Sequence, residues 1–245
     1  MRPDNRALDA LRPVEMIPGF HRPSEGSVLY RAGNTVVLCT ASIDEKVPAF
    51  LEGKGKGWLT AEYQMHPRAN PPRRESRDGR GKAPSGRTQE IQRLIGRALR
   101  AAVILDKLGE RTIAIDCDVL EADGGTRTAS ITGGFVAVAL ALAKIKAPVI
   151  REAVAATSAG ILPSGEVALD LMYLEDSKAE VDLNVVATAS GKIVEVQGTA
   201  EGEPVERKQI DRLVDSALAG IKTLGELQKK TLAQAGVDLA SLLYS

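Results

Sequence analysis

Apolar positions along the chain repeat first every second residue and then every third or fourth. This order runs twice and predicts strands followed by a helix, then strands followed by a helix again. After a polar start, residues 28–30 and 34–42 (NTVVLCTAS) are rich in β-branched side chains and predict a strand or hairpin behind the Ala32-Gly33 turn. Residues 53–85 break the pattern with glycine, proline and arginine, and read as a long functional loop or a partly disordered segment. Between 88 and 108, Ile91, Leu94, Ile95, Ala98, Ala102 and Leu105 share one stripe, which predicts an amphipathic helix stopped by Gly109. Arg93, Arg97 and Arg100 lie off that stripe.

Residues 112–120 alternate isoleucine and valine with polar positions and predict a strand, after which Asp123-Gly124-Gly125 turns the chain into a helix over 126–146. Further strands are expected at 153–162, 167–174, 179–189 and 192–199, joined by turns at Pro163-Ser164-Gly165 and Ser190-Gly191, before a last helix over 205–235. The succession implies an α+β chain of two similar halves, 1–147 and 148–245, with no convincing internal repeat.

Composition changes this picture little. With 245 residues, 44% of them hydrophobic, the chain can bury a real core. The most apolar stretch, 135–145, is too short to span a bilayer and reads as a buried helix, so no membrane association is expected. Cys39 and Cys117 each sit in an apolar run as free thiols, and no export signal precedes them, which fits a reducing cytoplasm.

Charge matters through its distribution. Lys plus Arg and Asp plus Glu both total 32, so net charge does not announce a nucleic-acid partner. Yet from His66 to Arg100 the chain carries Arg68, Arg73, Arg74, Arg77, Arg80, Lys82, Arg87, Arg93, Arg97 and Arg100 against Glu75, Asp78 and Glu90. That excess in a glycine- and proline-rich segment is what polyanion binding requires, although a charge run is more often a solvated face. Only Trp58 and Tyr63 stand nearby, so base stacking is not expected.

Two further constellations carry chemistry. Gly124-Gly125-Thr126-Arg127-Thr128-Ala129-Ser130 opens a helix directly after a strand, where backbone N–H groups, hydroxyls and a guanidinium make an anion cradle. An ordinary glycine turn with threonine and serine caps is the bland alternative, and the arginine gives the two readings equal weight. Asp170, Glu175, Asp176, Glu180 and Asp182 form the second group, with Lys178 the only base among them. On a strand Glu180 and Asp182 share a face, and Asp176 reaches its end, an arrangement suited to Mg²⁺. Scattered surface acids are the commoner explanation for such a group alone, but a phosphate cradle paired with carboxylates supplies both parts of a phosphoryl-transfer site. His21 and His66 lack partners at ligand spacing, and neither a Gly-x-Ser-x-Gly elbow nor a Walker-type loop is present.

The segments RPD at 2–4, VLCTA at 37–41, GWLTAEY at 57–63, SGRTQEIQRLIGR at 85–97, DCD at 116–118, DGGTRTAS at 123–130, DS at 176–177, VDLNV at 181–185 and EVQGTAEG at 195–202 together resemble the ribonuclease PH family of phosphorolytic 3′-5′ exoribonucleases (tRNA nucleotidyltransferases) over nearly the whole chain. The resemblance implies two βαβ-like halves of the ribosomal protein S5 domain 2-like type, assembled as a ring-shaped homohexamer, a trimer of dimers. It implies that Arg87, Gly125, Thr126 and Arg127 bind inorganic phosphate, with Arg87 and Arg127 also catalytic. Asp176 and Asp182 match the positions tied to catalysis and to Mg²⁺, or Mn²⁺ in its place. The arginine-rich segment, with Arg68, Arg73, Arg74 and Arg77, and beside it Arg93 and Arg97, matches the surface that grips tRNA precursors and other structured RNA 3′ ends. Gln64 and His66 depart from the family pattern, as does the wording of residues 70–77.

The implied reaction trims tRNA 3′ ends by transferring nucleotides to phosphate, releasing nucleoside diphosphates, with nucleotide addition as its reverse. Two rivals remain on the sequence: a catalytically silent RNA-binding ring subunit, and a small-molecule phosphotransferase of related fold. The first would be free to lose the phosphate arginines or aspartates, and the second needs a nucleotide loop that is missing.

Overall fold

A computed structural model describes residues 2–74 and 83–244. The first half holds a five-stranded sheet, ordered β1-β2-β3-β5-β4, from β1 (Val14–Pro18), β2 (Gly26–Ala32), β3 (Thr35–Asp44), β4 (Trp58–Met65) and β5 (Thr112–Glu121). Neighbours run antiparallel except β4 and β5, which are parallel and joined by the helix α1 (Gly86–Ala102), a βαβ crossover. The second half holds an antiparallel sheet, ordered β7-β6-β8-β9, from β6 (Val154–Ile161), β7 (Val167–Leu169), β8 (Val181–Thr188) and β9 (Ile193–Ala200), and it ends in the long helix α5 (Arg207–Gln234). The α+β expectation holds.

Between the two sheets lies α3 (Thr126–Lys144), packed on β2 and β3 on one side and on β6 on the other, with α1 and α5 against it. Fourteen of its residues are buried. At nineteen residues it is long and apolar enough to cross a membrane by composition, longer than the 135–145 stretch the sequence singles out, but 83% of that window is buried inside the fold. A helix enclosed on all sides shows little amphipathic contrast. Strand β6 is buried at all eight positions, and its alternate residues serve two cores: Val154 and Ala156 face the cluster around α3, while Ala155, Ala159 and Ile161 face α5.

Four local expectations are corrected. The polar start contains β1, and the segment read as loop contains β4, whose Leu59, Ala61 and Tyr63 are buried while Glu62 faces outward. The glycines at 53, 55 and 57 and the prolines after Met65 mask that alternation over a longer window. The helix predicted to Leu108 breaks at Val103, which is extended and bridges to Ile150, while Ile104 N–H donates to Val149 O at 2.8 Å; a four-residue turn, α2 (Leu105–Leu108), follows. Tertiary pairing thus outcompetes helix propensity there. Finally, the strand expected over 167–174 stops at Leu169. Asp170 takes a left-handed φ of 55°, and the single turn α4 (Tyr173–Asp176) replaces the remainder.

Close approach of α3 to the first sheet requires small residues. Cys39 and Cys117 face one another across β3 and β5, each thiol within 3.8 Å of Ser130 O. A Cβ on Gly26 would lie 2.0 Å from Ala137 O and 2.7 Å from Ala141 N, both backbone atoms of α3. Gly26→Ala is therefore expected to destabilise the protein by about 3 kcal/mol, as a forced backbone shift in a packed core. Urea unfolding measures it, and an unchanged midpoint would show that β2 can move off α3 freely.

Candidate active site

Strand β5 delivers the chain to a two-glycine turn at the start of α3. Gly124 and Gly125 have φ of 76° and 65°, in the region only glycine enters without strain. Space reinforces the requirement, because a Cβ on Gly124 would lie 2.7 Å from Leu171 O, and one on Gly125 would lie 2.9 Å from an Arg12 guanidinium nitrogen. No side chain caps the helix, so the N–H groups of its first turn and its dipole face the space in front of the turn. Of the hydroxyls read as an anion cradle, Thr128 donates to Gly125 O at 2.9 Å and Ser130 to Thr126 O at 2.8 Å, so both are spent on the backbone. Thr126 remains, its hydroxyl 2.9 Å from the buried Tyr63 phenol.

Arg127 is held by two residues that the sequence reading did not assign to the site. Its guanidinium donates to Gln197 Oε1 at 3.1 Å and lies 3.7 Å from Glu90 Oε2, while Gln197 Nε2 donates to Glu90 Oε1 at 2.8 Å. Helix α1 and strand β9 thus aim one arginine from α3. Glu90 had counted only as an acid among the basic residues, and a cross-half contact of this kind has no local signature. Tyr63 was hidden with β4.

Opposite the turn, α4 presents Asp176 and β8 presents Asp182. One cavity of about 400 Å³ is lined by Arg73, Arg87, Gly125, Thr126, Arg127, Asp176 and Asp182, together with Asn70, Ser158, Tyr173 and Asn184. Burial, and then the charge of Asp176, push Asp182 up to about 6, against the pull of Arg127. Burial also raises Asp176, while Arg127 and Arg87 oppose it. The two carboxyls are near enough to share a hydrogen bond, yet Asp182 Oδ1 is buried with no hydrogen-bond partner among the described residues. An orphaned carboxylate oxygen beside a second carboxylate fits a hard cation that completes its shell with water and phosphate oxygens. Among the described residues no group of three or more His, Cys, Asp or Glu side chains is placed to enclose a metal.

The other acids read as one cluster with these two separate from them. Asp170 and Glu175 are buried against arginines of the N-terminal segment, and Glu180 precedes β8 as an exposed residue. Among the basic candidates, Arg73 and Arg87 reach the cavity, Arg68 and Arg74 are exposed and do not line it, and Arg77 falls outside the described residues. Arg93 is exposed on α1. Arg97 makes a two-pronged pair with Glu195 of β9 at 3.0 and 2.5 Å, tying the halves together. Neither histidine lines the cavity.

Comparison with known proteins bears on the whole chain. The model of the 3′ exoribonuclease family matches by its domain 1 over residues 10–146 and its domain 2 over residues 152–220. Ribonuclease PH of Geobacillus sp. (strain WCH70) is 53% identical, covering 98% of this chain and 96% of its own. That of Bacillus pumilus (strain SAFR-032) is 55% identical, covering 94% and 97%. Among solved structures, rice (Oryza sativa) Rrp46 superposes with a TM-score of 0.78 at 17% identity, covering 94% of this chain and 100% of its own. The Archaeoglobus fulgidus exosome with RNA bound to the active site gives 0.75 at 22%, covering 92% of each chain.

The raised Asp182 carboxyl yields a stability prediction whose sign is fixed. The folded protein binds this proton more tightly than the unfolded chain, whose ordinary value is 3.8, so ionisation costs stability increasingly between about pH 4 and 6 and fully above. Asp182→Asn removes the charge. In a chelator its melting midpoint is expected to exceed wild type by about 4 °C at pH 8, the advantage disappearing towards pH 4. A difference that does not vary with pH would count against a desolvated carboxylate at this position.

Proposed function

The chain belongs to the ribonuclease PH family of 3′ exoribonucleases, and on that premise we propose that it trims the 3′ ends of tRNA precursors and other structured RNAs by phosphorolysis. The observation that carries this reading is a single cavity in which a cationic phosphate cradle faces two coupled carboxyl groups. In the division we favour, residues 1–147 supply the cradle and residues 148–245 the acids.

Inorganic phosphate, the co-substrate, is held by Arg87, by the Gly125 and Thr126 backbone at the start of α3, and by Arg127. One of its oxygens attacks the phosphorus that joins the last nucleotide to the RNA. The bond from that phosphorus to the 3′-oxygen breaks, a nucleoside diphosphate leaves, and the new RNA end takes up a proton. Positioning and charge stabilisation supply most of the acceleration in such transfers. Asp182, its carboxyl raised to about 6 by burial and the charge of Asp176, is suited either to hand a proton to the departing oxygen or to hold a metal with Asp176. Asp176 and Asp182 would hold a Mg²⁺, or Mn²⁺ in its place, which would supply neutralisation of charge on the transferred group. The reaction exchanges bonds of similar energy, so the same site adds nucleotides from diphosphates when phosphate is scarce.

Arg68, Arg73 and Arg74, with Arg93, form the cationic approach along which RNA reaches the cavity. Arg97 belongs to that surface as well, with its charge already partnered by Glu195. A silent ring subunit would need none of the interior arrangement around Arg127, whose precise support by Glu90 and Gln197 has no purpose without a phosphate to hold. We place the protein in the cytoplasm, in keeping with its two free buried cysteines, and as a homohexameric ring, a trimer of dimers. Sedimentation is expected to give a hexamer, and a stable, active monomer would remove the ring from this reading.

The decisive assay incubates a 3′-extended tRNA with Mg²⁺, with and without inorganic phosphate. Wild type is expected to release nucleoside diphosphates only when phosphate is present, and Arg127→Ala to lower that rate about 100-fold. Nucleoside monophosphates released without phosphate would identify a hydrolytic nuclease instead.

A further inference from the structure

The N-terminal segment leaves its own half and runs along the second, where three arginines meet two buried carboxylates. Arg2 grips Glu175 with two hydrogen bonds of 2.7 Å, both side chains almost wholly buried. Arg6 donates to Asp170 O at 2.7 Å and lies 3.4 Å from carboxylate oxygens of Asp170 and Glu175. Arg12 is the deepest of the three in its consequences. Its backbone N–H, Nε and one terminal nitrogen all donate to the Asp170 carboxylate, at 2.8, 3.0 and 2.7 Å. Its other terminal nitrogen donates to Asp123 O at 2.6 Å, and the fork also touches Gly124 O at 3.5 Å.

These two sets of contacts belong to opposite walls of the cavity. Asp123 and Gly124 begin the turn that presents Gly125, Thr126 and Arg127. Asp170 begins the segment that ends at Asp176, and its left-handed backbone is what redirects the chain from β7 into α4. A single planar group, 3% exposed, therefore spans the turn carrying the phosphate cradle and the loop carrying the acid. The turn is seated directly on it, since a Cβ on Gly125 would lie 2.9 Å from the same guanidinium. Burial alone would raise Asp170, but Arg12 holds it below the usual carboxylate range, so the bridge stays charged across the neutral range.

We infer that Arg12 is a positioning residue for the reaction, fixing the separation between the phosphate cradle and the Asp176 loop. This rests on the phosphorolytic reading of the cavity. Each wall keeps its own support without Arg12: Arg127 is held by Glu90 and Gln197, Thr126 by Tyr63, and the far end of the acid loop by Arg2 on Glu175. The walls also touch at an exposed contact, where the Tyr173 N–H donates to Asp123 Oδ1 at 3.2 Å, and the buried bridge between them is Arg12. Lysine keeps the charge and the stem but cannot form the fork that reaches both walls at once. Loss of the fork then leaves phosphate binding and RNA binding in place while misaligning the nucleophile with the acids, and a displacement of about 1 Å costs rate rather than affinity.

The test measures phosphate-dependent release of diphosphates from a 3′-extended tRNA at saturating Mg²⁺, for wild type and Arg12→Lys, well below both melting midpoints. The expected result is a kcat lowered about 30-fold, with KM for phosphate and the Kd for tRNA each within about 3-fold of wild type. A kcat equal to wild type beside a lowered melting midpoint would assign Arg12 to stability alone and overturn the inference. A raised KM with kcat unchanged would make it part of the phosphate cradle and overturn it as well. Should Arg12→Lys not fold, Arg12→Met with Asp170→Asn removes the fork and the orphaned charge together. A low kcat in that folded pair supports the inference, and a wild-type kcat refutes it. Diphosphates absent from wild type itself would remove the phosphorolytic reading, a result separate from any behaviour of the variant.

Discussion

The burial of one helix governs the rest of this structure. α3 is apolar around most of its circumference, and it is covered only when a sheet lies on each side and two helices close the gaps. That requirement explains why β2 carries Gly26 where it crosses the helix backbone, and why β6 is buried on both faces. It also explains Gln228, a fully buried amide on α5 whose Nε2 donates to Thr132 O of α3 and Val154 O of β6, both at 2.9 Å. A helix so enclosed has one end where its backbone N–H groups face a polar space, and the site stands at that end.

The site is accordingly a seam. Its cations come from the segment after β4, from α1 and from the start of α3, its acids from α4 and β8, and the contacts that aim Arg127 from α1 and β9. Around it the two halves are stitched by pairs of unequal strength. Arg97 and Glu195 are partly exposed and contribute on the order of 0.5 kcal/mol. Arg2 and Glu175 are buried, and removing one partner of such a pair costs about 3–5 kcal/mol because the other charge is stranded. The seam is thus firm behind the cavity, where the pairs are dry. The acids inside it are themselves costly to ionise, and they persist because the surrounding fold tolerates that cost.

Much of this was legible in the sequence, and the gaps have physical causes. Strong periodicity located β5, α3 and α5 within a few residues, and α1 up to its early end at Ala102, since each has enough turns or alternations to outweigh local noise. Gly125, Thr126 and Arg127 could be weighed as an anion cradle because they open a helix directly after a strand, whereas Arg87, and the choice of Asp176 and Asp182 among the neighbouring acids, rested on the family resemblance. The sequence did not reveal which acids face inward: Asp170, Glu175, Asp176 and Asp182 look alike in a row, and only their partners divide them. Strand β4 was lost because the glycines and prolines around it are as loud as its own alternation. The roles of Glu90, Gln197 and Arg12 depend on contacts across 37 to 158 residues, which no window along the chain can hold.

Because the helix is stabilised along its length and the proposed site sits at its tip, folding and the activity we propose draw largely on different residues. Rice Rrp46 and the archaeal exosome subunit keep the architecture at 17% and 22% identity, so the packing scheme survives wholesale replacement of side chains. A duplicated copy of a chain built this way can drift at Asp176 or Asp182 without losing its shape, and relief of the buried acid charge even favours that drift. Such a fold lends itself to lineages in which some copies keep the reaction and others keep only the form.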